Sequence, residues 1–570
     1  MCHLLLQCRY HTSPISGICA TEHGYIASAG YDNQVILWNA QTHTPIAIGT
    51  HDHLANQVVF SHDAKLLASS SSDYSVRVWS VPDMSLLSVM THEDDVEGIS
   101  FSPDNRLIAT ASRDNKVRVF SVDGHLIREF IGHENDVLTV EWLTETMLVS
   151  CGDDSTLRYW DINTGLNQKV IDLGGMETDT LCVTPNGEIV SGNDDGELIY
   201  FNNKGEEICH THGHKAGIKR LVLNQNKVIS LSYDRSFKIW SIQDNSLICQ
   251  VESEIPNIVW PRSCAFINDA FVAFVTFGDR YATYSIETNT WDIDSIQDTH
   301  GVNAIYPVSN GYYDVGDAGI VRFNGEKINQ VPSLCNFIIA ENGRILCGGQ
   351  DGAVYDATTS KIIYQHHSPL NCCQAFDHQG NKYIAIGAYT GELILLKFSS
   401  YQDITFVSSI SVHNNAIKDV SIINNRVFTV CADNSVAVTE LNDLMSVTPV
   451  LRGSHDKIVN GCAAFKGSFI SVSRDLTLRI WGDEEKILTT PHKNSIKCVA
   501  TDNDSWIVSG DYRGTVSFYH VPSQTWQKKK ASKTGISALA YDQGEGVFLA
   551  SSYDGRVHKL SAPVLNGVEQ

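Results

Sequence analysis

Short runs in which apolar and polar residues alternate recur along the whole chain. KVRVFSV at residues 116–122 and TLRYWDI at residues 156–162 are examples, and Gly, Asn and Asp flank such runs. Successive side chains of a strand point to opposite faces, so this alternation predicts half-buried β-strands joined by tight turns. We find no convincing amphipathic helix. The pattern therefore predicts an all-β chain.

An aspartate also recurs, six residues before an aromatic residue. The copies are Asp32/Trp38, Asp73/Trp79, Asp114/Phe120, Asp154/Trp160, Asp195/Phe201 and Asp234/Trp240. Weaker copies lie at Asp279, Asp317, Asp351 and Thr390, and clearer ones return at Asp433, Asp475, Arg513 and Asp554. These units begin about 40 residues apart on average, a period typical of four-stranded propeller blades. The sequence therefore contains fourteen repeats.

Two stretches carry the best-defined copy, GHENDVLTVEW at 132–142 and LVSCGDDSTLRYWD at 148–161. They contain Gly-His, Asp and Trp-Asp in order, and with them the chain resembles the WD-repeat family over nearly its whole length. The resemblance implies four-stranded blades. Because one ring usually holds four to eight blades, we expect two tandem seven-bladed β-propellers, at residues 1–297 and 298–570.

The chain ends suggest how the rings close. The last repeat finishes with RVHKLSA at 556–562, while residues 3–9 read as a strand that no repeat precedes. We expect this N-terminal strand, within residues 1–10, to complete the last blade. The alternative is a first ring that closes by itself, with residues 4–6 in its seventh blade.

A histidine and a hydroxyl residue recur with the aspartate. The histidines are His11, His51, His92, His133, His214, His413, His455 and His492. The hydroxyl residues are Ser28, Ser69, Thr110, Ser150, Ser191, Ser230, Thr429, Ser471 and Ser509. A His, Ser and Asp trio can be catalytic, but one active site does not need five copies. The family resemblance implies that His, Ser, Asp and Trp instead form a buried hydrogen-bond chain within each blade, complete in five of the units.

Composition and charge argue against several classes of function. The 65 acidic residues outnumber the 42 basic ones, giving a net charge of −23 that should repel nucleic acid. No run of 18 apolar residues occurs, so we expect no membrane insertion. Fifteen cysteines without a CxxC pair indicate reduced thiols and a cytoplasmic location. Close histidine clusters occur at HTHGH, residues 210–214, and at His366-His367, and we expect neither a metal site nor a cofactor.

The residue before the repeated aspartate is a candidate for partner binding. The family resemblance places this position on the top face, around the central channel. Tyr and Arg are frequent at interface hot spots. The second ring has Tyr389, Arg474, Tyr512 and Tyr553 here, with Arg513 in place of the aspartate, and is the preferred face. The first ring has Tyr31, Arg113, Asp153, Asp194 and Tyr233. The alternative is that each Tyr covers its own hairpin.

Residues from about 250 to 400 form a second candidate region. Most of the recurring histidines and tryptophans are missing there, and Trp260 and Trp291 lie in segments that look exposed. The loss of the pattern could mark an interface between the rings or drift without function. Trp260 and Trp291 are the residues to test for an interface.

These observations favour a non-catalytic interaction scaffold or adaptor that binds protein partners on rigid propeller faces. One alternative is an acidic inhibitor or immunity-type protein that caps a basic enzyme. Two further alternatives are an actin or cytoskeleton-binding protein and a propeller enzyme, for which Asp153, Asp194 and Arg113 are the nearest group of converging polar residues.

Overall fold

The computed structural model describes residues 10–398, 403–441, 444 and 449–564, and every regular element in them is a β-strand. The chain divides into two compact units, the first ending at Asp298 and the second beginning at Thr299. None of the described residues forms an apolar helix with the length needed to cross a bilayer. The all-β prediction is confirmed.

The described strands of the first unit form seven sheets of four consecutive strands. They are β1 Ile15–Thr21, β2 Tyr25–Gly30, β3 Gln34–Asn39, β4 Thr44–Thr50; β5 Ala55–Phe60, β6 Leu66–Ser71, β7 Ser75–Ser80, β8 Leu86–Thr91; β9 Val96–Phe101, β10 Leu107–Ser112, β11 Lys116–Ser121, β12 Leu126–Ile131; β13 Val137–Trp142, β14 Met147–Gly152, β15 Thr156–Asp161, β16 Leu166–Asp172; β17 Thr180–Val183, β18 Ile189–Gly192, β19 Glu197–Phe201, β20 Glu207–His212; β21 Ile218–Asn224, β22 Lys227–Ser232, β23 Ser236–Gln243, β24 Ser246–Glu254; β25 Val259–Phe266, β26 Phe271–Thr276, β27 Ala282–Ser285, β28 Thr290–Asp292.

The described strands of the second unit form six sheets of four strands and a last sheet of three. They are β29 Val302–Val308, β30 Gly311–Gly316, β31 Ile320–Phe323, β32 Glu326–Gln330; β33 Cys335–Glu341, β34 Arg344–Gly349, β35 Ala353–Asp356, β36 Ile362–Gln365; β37 Leu370–His378, β38 Asn381–Ala388, β39 Glu392–Phe398, β40 Ile404–Ser411; β41 Ile417–Ile423, β42 Arg426–Cys431, β43 Ser435–Glu440, β44 Val450–Ser454; β45 Val459–Phe465, β46 Ser468–Ser473, β47 Thr477–Trp481, β48 Glu485–Thr489; β49 Ile496–Thr501, β50 Trp506–Asp511, β51 Thr515–His520, β52 Thr525–Lys530; β53 Ile536–Asp542, β54 Val547–Ser552, β55 Val557–Leu560.

All pairings within a sheet are antiparallel between consecutive strands, and the first strands of neighbouring sheets contact each other. In the first unit these contacts run from β1 through β5, β9, β13, β17 and β21 to β25 and back to β1. In the second unit they run from β29 through β33, β37, β41, β45 and β49 to β53 and back to β29. Each unit is thus a cycle of seven described sheets whose first strands lie innermost. The predicted N-terminal closing strand, and the alternative that uses residues 4–6, lie outside the described residues.

The turn between the second and third strands explains why Asn and Gly follow the repeated aspartate. Asn33 has φ 69° and Gly196 φ 79° at this position. A left-handed φ favours Gly and Asn. A Cβ on Gly196 would also lie 2.4 Å from the His214 carbonyl oxygen, so the next sheet approaches too closely for a side chain. The left-handed backbone of this turn therefore accounts for the Asn and Gly residues that recur there.

A β-bulge follows the first residue of most inner strands and links neighbouring sheets. The residue that the register skips is called here the bulge residue. In seven sheets its side chain donates a hydrogen bond to the first carbonyl of the next inner strand. These bonds are Ser16 to Ala55, Asn56 to Val96, Asn303 to Cys335, Asn336 to Leu370, Asn371 to Ile417, Asn460 to Ile496 and Ser537 to Val302. The last of them joins the seventh sheet of the second unit to its first, so bulge residues hold the cycle closed.

Candidate functional site

The five complete copies of the repeated polar residues form closed networks inside single sheets. In the first sheet Trp38 Nε1 donates to Ser28 Oγ at 2.7 Å, and Ser28 Oγ lies 2.7 Å from His11 Nε2. His11 Nδ1 donates to Asp32 Oδ1 at 3.0 Å, and the His11 side chain has no exposed surface. Every polar atom of this four-residue hydrogen-bond network thus has a partner within the sheet.

The same chain recurs in the second, fourth and sixth sheets and in the fifth sheet of the second unit. Its members are His51, Ser69, Asp73 and Trp79; His133, Ser150, Asp154 and Trp160; His214, Ser230, Asp234 and Trp240; and His455, Ser471, Asp475 and Trp481. All four histidine side chains are fully buried. The hydrogen-bond chain that the family resemblance implies is confirmed, and the catalytic interpretation of the trio is wrong because no substrate can reach it.

Four of these aspartates have a pKa below the usual range and are held ionised. Burial raises the pKa of Asp154, but the hydrogen bond and charge of His133 outweigh it, and the net pKa is about 2. Burial is likewise outweighed by histidine partners at Asp73, Asp234 and Asp475, whose pKa values lie below the usual range. Ionised, the carboxylates accept hydrogen bonds from both the imidazole and the adjacent backbone.

One network uses an aspartate that the spacing does not predict. His492 Nδ1 donates to Asp511 Oδ2 at 2.9 Å, and Asp511 Oδ1 accepts the backbone N–H groups of Arg513 and Thr515. Asp511 therefore takes the place of the repeated aspartate from two residues earlier in the chain. Arg513 stands at the position of the repeated aspartate. The network is nevertheless intact, because Asp511 supplies the carboxylate.

Six of the predicted binding residues meet around one cavity in the first unit. This central cavity, of about 130 Å³, is lined by residues of all seven sheets: Ser16, Asn56, Gln57, Glu97, Arg113, Leu138, Thr139, Asp179, Lys219, Arg220, Tyr233, Arg262 and Ser263. Arg113 and Tyr233 line it directly. Asp194 contacts it through Lys219, whose Nζ lies 2.8 Å from Asp194 Oδ1 and 4.9 Å from the centre of the Tyr233 ring.

The other three predicted binding residues lie beside Arg113 and Arg262, and they are Asp153, Trp260 and Tyr31. The Arg113 guanidinium contacts Glu97 at 2.7 Å and Asp136 at 2.5 Å, and its charge acts on Asp153. The Arg262 guanidinium lies 5.3 Å from the Trp260 ring centre, and the Tyr31 ring meets the edge of Trp260 at 5.3 Å. The structure thus joins residues that are separated by up to 229 positions in the sequence.

The charged residues that line the central cavity are the cations Arg113, Lys219, Arg220 and Arg262 and the carboxylates Glu97 and Asp179, and further carboxylates lie around them. Burial, followed by the charge of Asp179, raises the pKa of Asp153 to about 8. Burial also raises the pKa values of Asp136, Glu177 and Asp179. Burial is the largest cause of each raised pKa, while Arg113 lowers the pKa values of Asp136 and Asp153 and Lys219 lowers those of Glu177 and Asp179.

The candidate residues of the second unit are less accessible than the sequence suggests. Tyr512 and Tyr553 are each 8% exposed, because their rings lie nearly parallel with centres 6.3 Å apart and Gly535 leaves room for Tyr553. Tyr389 lies under the Lys418 ammonium, 5.4 Å from its ring centre. Arg474 and Arg513 are half-buried. The two buried tyrosines expose only a small edge.

Trp260 and Trp291 are not exposed as expected, and both pack within the first unit. Trp260 is 9% exposed and stacks on Phe277 with ring centres 5.3 Å apart. Trp291 is half-buried in an aromatic cluster with Phe237, Phe274 and Tyr284, and its Nε1 donates to the Glu254 carbonyl. The seventh sheet therefore replaces the polar network with aromatic packing.

Sequence reasoning missed the bulge residues. Glu97 and Lys219 are bulge residues that carry charge into the central cavity, and each stands five residues after a recurring histidine, His92 or His214. Lys418 and Lys497 occupy the same position after His413 and His492 in the second unit. A position five residues after the histidine would have identified all four.

Comparison with known proteins finds a family model that matches the first part of the chain. The family model for WD domain, G-beta repeat, matches residues 2–39, 44–80, 84–121 and 124–161. Four repeats within residues 2–161 are thus similar to this family. A solved structure titled "Crystal structure of RRP9 WD40 repeats" is 22% identical, covering 47% of this chain and 88% of its own, with a TM-score of 0.43. The comparison with curated proteins finds no match.

Proposed function

We propose that this chain is a non-catalytic protein-interaction scaffold that binds a partner on the face around the central cavity of the first unit. The observation that carries the proposal is the meeting of Arg113, Asp153, Asp194 and Tyr233 with the charged bulge residues at one cavity. The repeated polar networks leave recognition to such positions, because their own polar atoms are committed to holding the sheets.

The charge around the cavity favours a partner segment that carries a lysine or arginine side chain. Burial is the main cause of the raised pKa values of Asp136, Asp153 and Asp179, and a cation bound beside these carboxyl groups would stabilise their ionised forms. The aromatic rings of Tyr31 and Tyr233 and the edge of Trp260 offer apolar and cation–π contacts beside the carboxylates. A rigid, preformed face binds without the entropy cost of ordering a loop.

The proposal includes the wider organisation of the chain. We propose two seven-bladed propellers, supported by the two cycles of inner-strand contacts, with the division near residue 298. A cytoplasmic location is supported by the thirteen cysteines of the described residues, all of which are free thiols. The face of the second unit around Tyr389, Lys418 and Arg474 is the second candidate surface, since the Lys418 ammonium lies over the Tyr389 ring there.

The test is quantitative affinity capture from native extract at two salt concentrations. We compare the wild-type chain with the double variant Asp153→Asn, Asp194→Asn and with a matched control, Asp172→Asn, Asp294→Asn, on exposed outer positions of the same unit. Expected is a partner whose yield falls at high salt and in the first variant but is unchanged in the control. Equal yields of the same proteins for all three chains would contradict the proposed face.

A further inference from the structure

One sheet of the second unit keeps the recurring histidine but has lost its partners. In the sheet β37–β40 the positions of Ser, Asp and Trp are taken by Ile386, Thr390 and Leu396. The histidine of this sheet is His366, whose backbone N–H donates to the Gly352 carbonyl as that of His51 donates to the Asn33 carbonyl. His366 therefore occupies the histidine position of the network with no serine or aspartate to bind.

The imidazole is instead part of a second cluster. His366 Nε2 lies 3.1 Å from Glu392 Oε2, and the rings of His366 and His367 are 4.2 Å apart between centres. One nitrogen of each histidine and one oxygen of Glu392 lie within 4.8 Å of one another. Two imidazoles and one carboxylate are a ligand set that divalent zinc and its neighbours prefer.

Further hydrogen bonds orient His366 and Glu392 within this cluster. Thr390 Oγ1 donates to Glu392 Oε2 at 2.7 Å, and Ser409 Oγ donates to Glu392 Oε1 at 2.9 Å. His366 Nδ1 lies 3.2 Å from the Ser368 carbonyl oxygen, and donation of its N–H to that oxygen leaves Nε2 as the ligand atom. Metal-binding histidines and carboxylates are commonly held by such contacts, which fix the tautomer and the direction of the lone pair.

Burial leaves the cluster open on one side. His366 is 7% exposed and Glu392 half-buried, whereas His367 is exposed. We propose that His366, His367 and Glu392 bind a divalent transition-metal ion, with zinc as the favoured ion and its remaining coordination position facing solvent. The exposed His367 supplies the third ligand, since one of its nitrogens already lies within 4.8 Å of the ligand atoms of His366 and Glu392.

This site is independent of the proposed partner face, which lies in the first unit. The competing explanation is that the hydrogen bond between His366 and Glu392 merely replaces the lost contact between His and Asp. That explanation needs Glu392 but gives no role to His367, so the two explanations differ in the effect of removing the exposed imidazole.

The experiment is isothermal titration of zinc chloride into the full chain after treatment with a chelator. Expected is one strong site that becomes at least about tenfold weaker in His367→Ala and in Glu392→Gln. The matched control is His125→Ala, because His125 is exposed and its carboxylate contact in the described residues is to Asp123 alone. It should bind zinc as the wild type does.

A second readout separates loss of binding from loss of folding. Cobalt titrated into the wild-type chain should give the visible absorption of a tetrahedral or five-coordinate ion, and His367→Ala should lose it while its metal-free melting temperature is unchanged. Absence of a strong zinc site in the wild type, or zinc binding by His367→Ala equal to that of the wild type, would overturn the proposal.

Discussion

Asp511 is hydrogen-bonded to His492 at 2.9 Å, although the repeat spacing assigns the aspartate position of that sheet to Arg513. Asp511 ends β50, so its carboxylate reaches the imidazole from the strand instead of from the following turn. It also accepts the backbone N–H groups of Arg513 and Thr515, as Asp32 accepts that of Gln34. The network is preserved by a carboxylate that has moved two residues along the chain.

We expect Asp511→Ala to destabilise the second unit and Arg513→Ala to change it little. The first substitution leaves a buried imidazole without its acceptor, a loss of about 2 kcal/mol in the free energy of unfolding. The second should change it by less than about 1 kcal/mol. Urea unfolding followed by circular dichroism measures both. The double change Asp511→Gly, Arg513→Asp restores the usual position and should recover part of the loss; an equal effect of the two single changes would contradict this assignment.

Ser150 joins two buried groups, so its removal should have an unusually large effect for a serine. Its Oγ binds His133 Nε2 at 2.7 Å and Trp160 Nε1 at 2.8 Å. Ser150→Ala leaves both without a partner, and we expect a loss of about 2–3 kcal/mol in the free energy of unfolding. Ser85→Ala, at an exposed turn of the same unit, is the control and should change it by less than about 0.5 kcal/mol. Comparable losses in both variants would show that the network contributes little.

The low pKa of Asp154 predicts loss of stability in acid. Because its folded-state pKa of about 2 lies below the unfolded value, its stabilisation is complete above pH about 4 and is lost as the pH falls towards about 2. The contribution is about 2 kcal/mol. Urea unfolding of the wild type and Asp154→Asn between pH 7 and pH 2 measures it: the gap between them should narrow at low pH, unlike that for Asp172→Asn. A constant gap would refute the assignment.

Asp153 predicts the opposite pH dependence. Its folded-state pKa of about 8 lies above the unfolded value, so the folded chain loses stability as the pH rises from about 4 to about 8. We expect Asp153→Asn to melt at a higher temperature than the wild type at pH 8, with a difference that shrinks towards pH 4. Scanning calorimetry at four pH values tests this, and a variant less stable than the wild type at pH 8 would argue against crowding of carboxylates at the cavity.

The bulge residues predict how neighbouring sheets are held together. Asn336 donates to the Leu370 carbonyl at 2.9 Å, whereas Lys497, the bulge residue of another sheet, makes no such bond in the described part of the chain. Asn336→Ala should cost about 1 kcal/mol in the free energy of unfolding, and Lys497→Ala less. Urea unfolding of the two variants distinguishes a role in linking sheets from a general effect of the position.

Much of the fold could be predicted because it depends on residues that recur at fixed, short spacings along the chain. Asp32 and Trp38 are six residues apart because a turn and a strand of fixed rise separate them, and the same distances recur in every copy. Ser28 and His11 belong to neighbouring elements of one sheet, so their pairing follows from the repeat itself. Asp511 was missed because a carboxylate can reach the same imidazole from two positions, and spacing alone selects the wrong one.

The sequence by itself determined the all-β class and the repeated units, because strand periodicity and turn chemistry act over a few residues, and the resemblance to the WD-repeat family implied the buried His, Ser, Asp and Trp chains. Only the tertiary structure decided which side chains meet at the central cavity. Arg113, Asp153 and Lys219 come from three different sheets and approach one another because the inner strands close into a cycle. It also decided that Tyr512, Tyr553 and Trp260 are buried, since exposure depends on the packing of neighbouring sheets and not on the pattern within one strand.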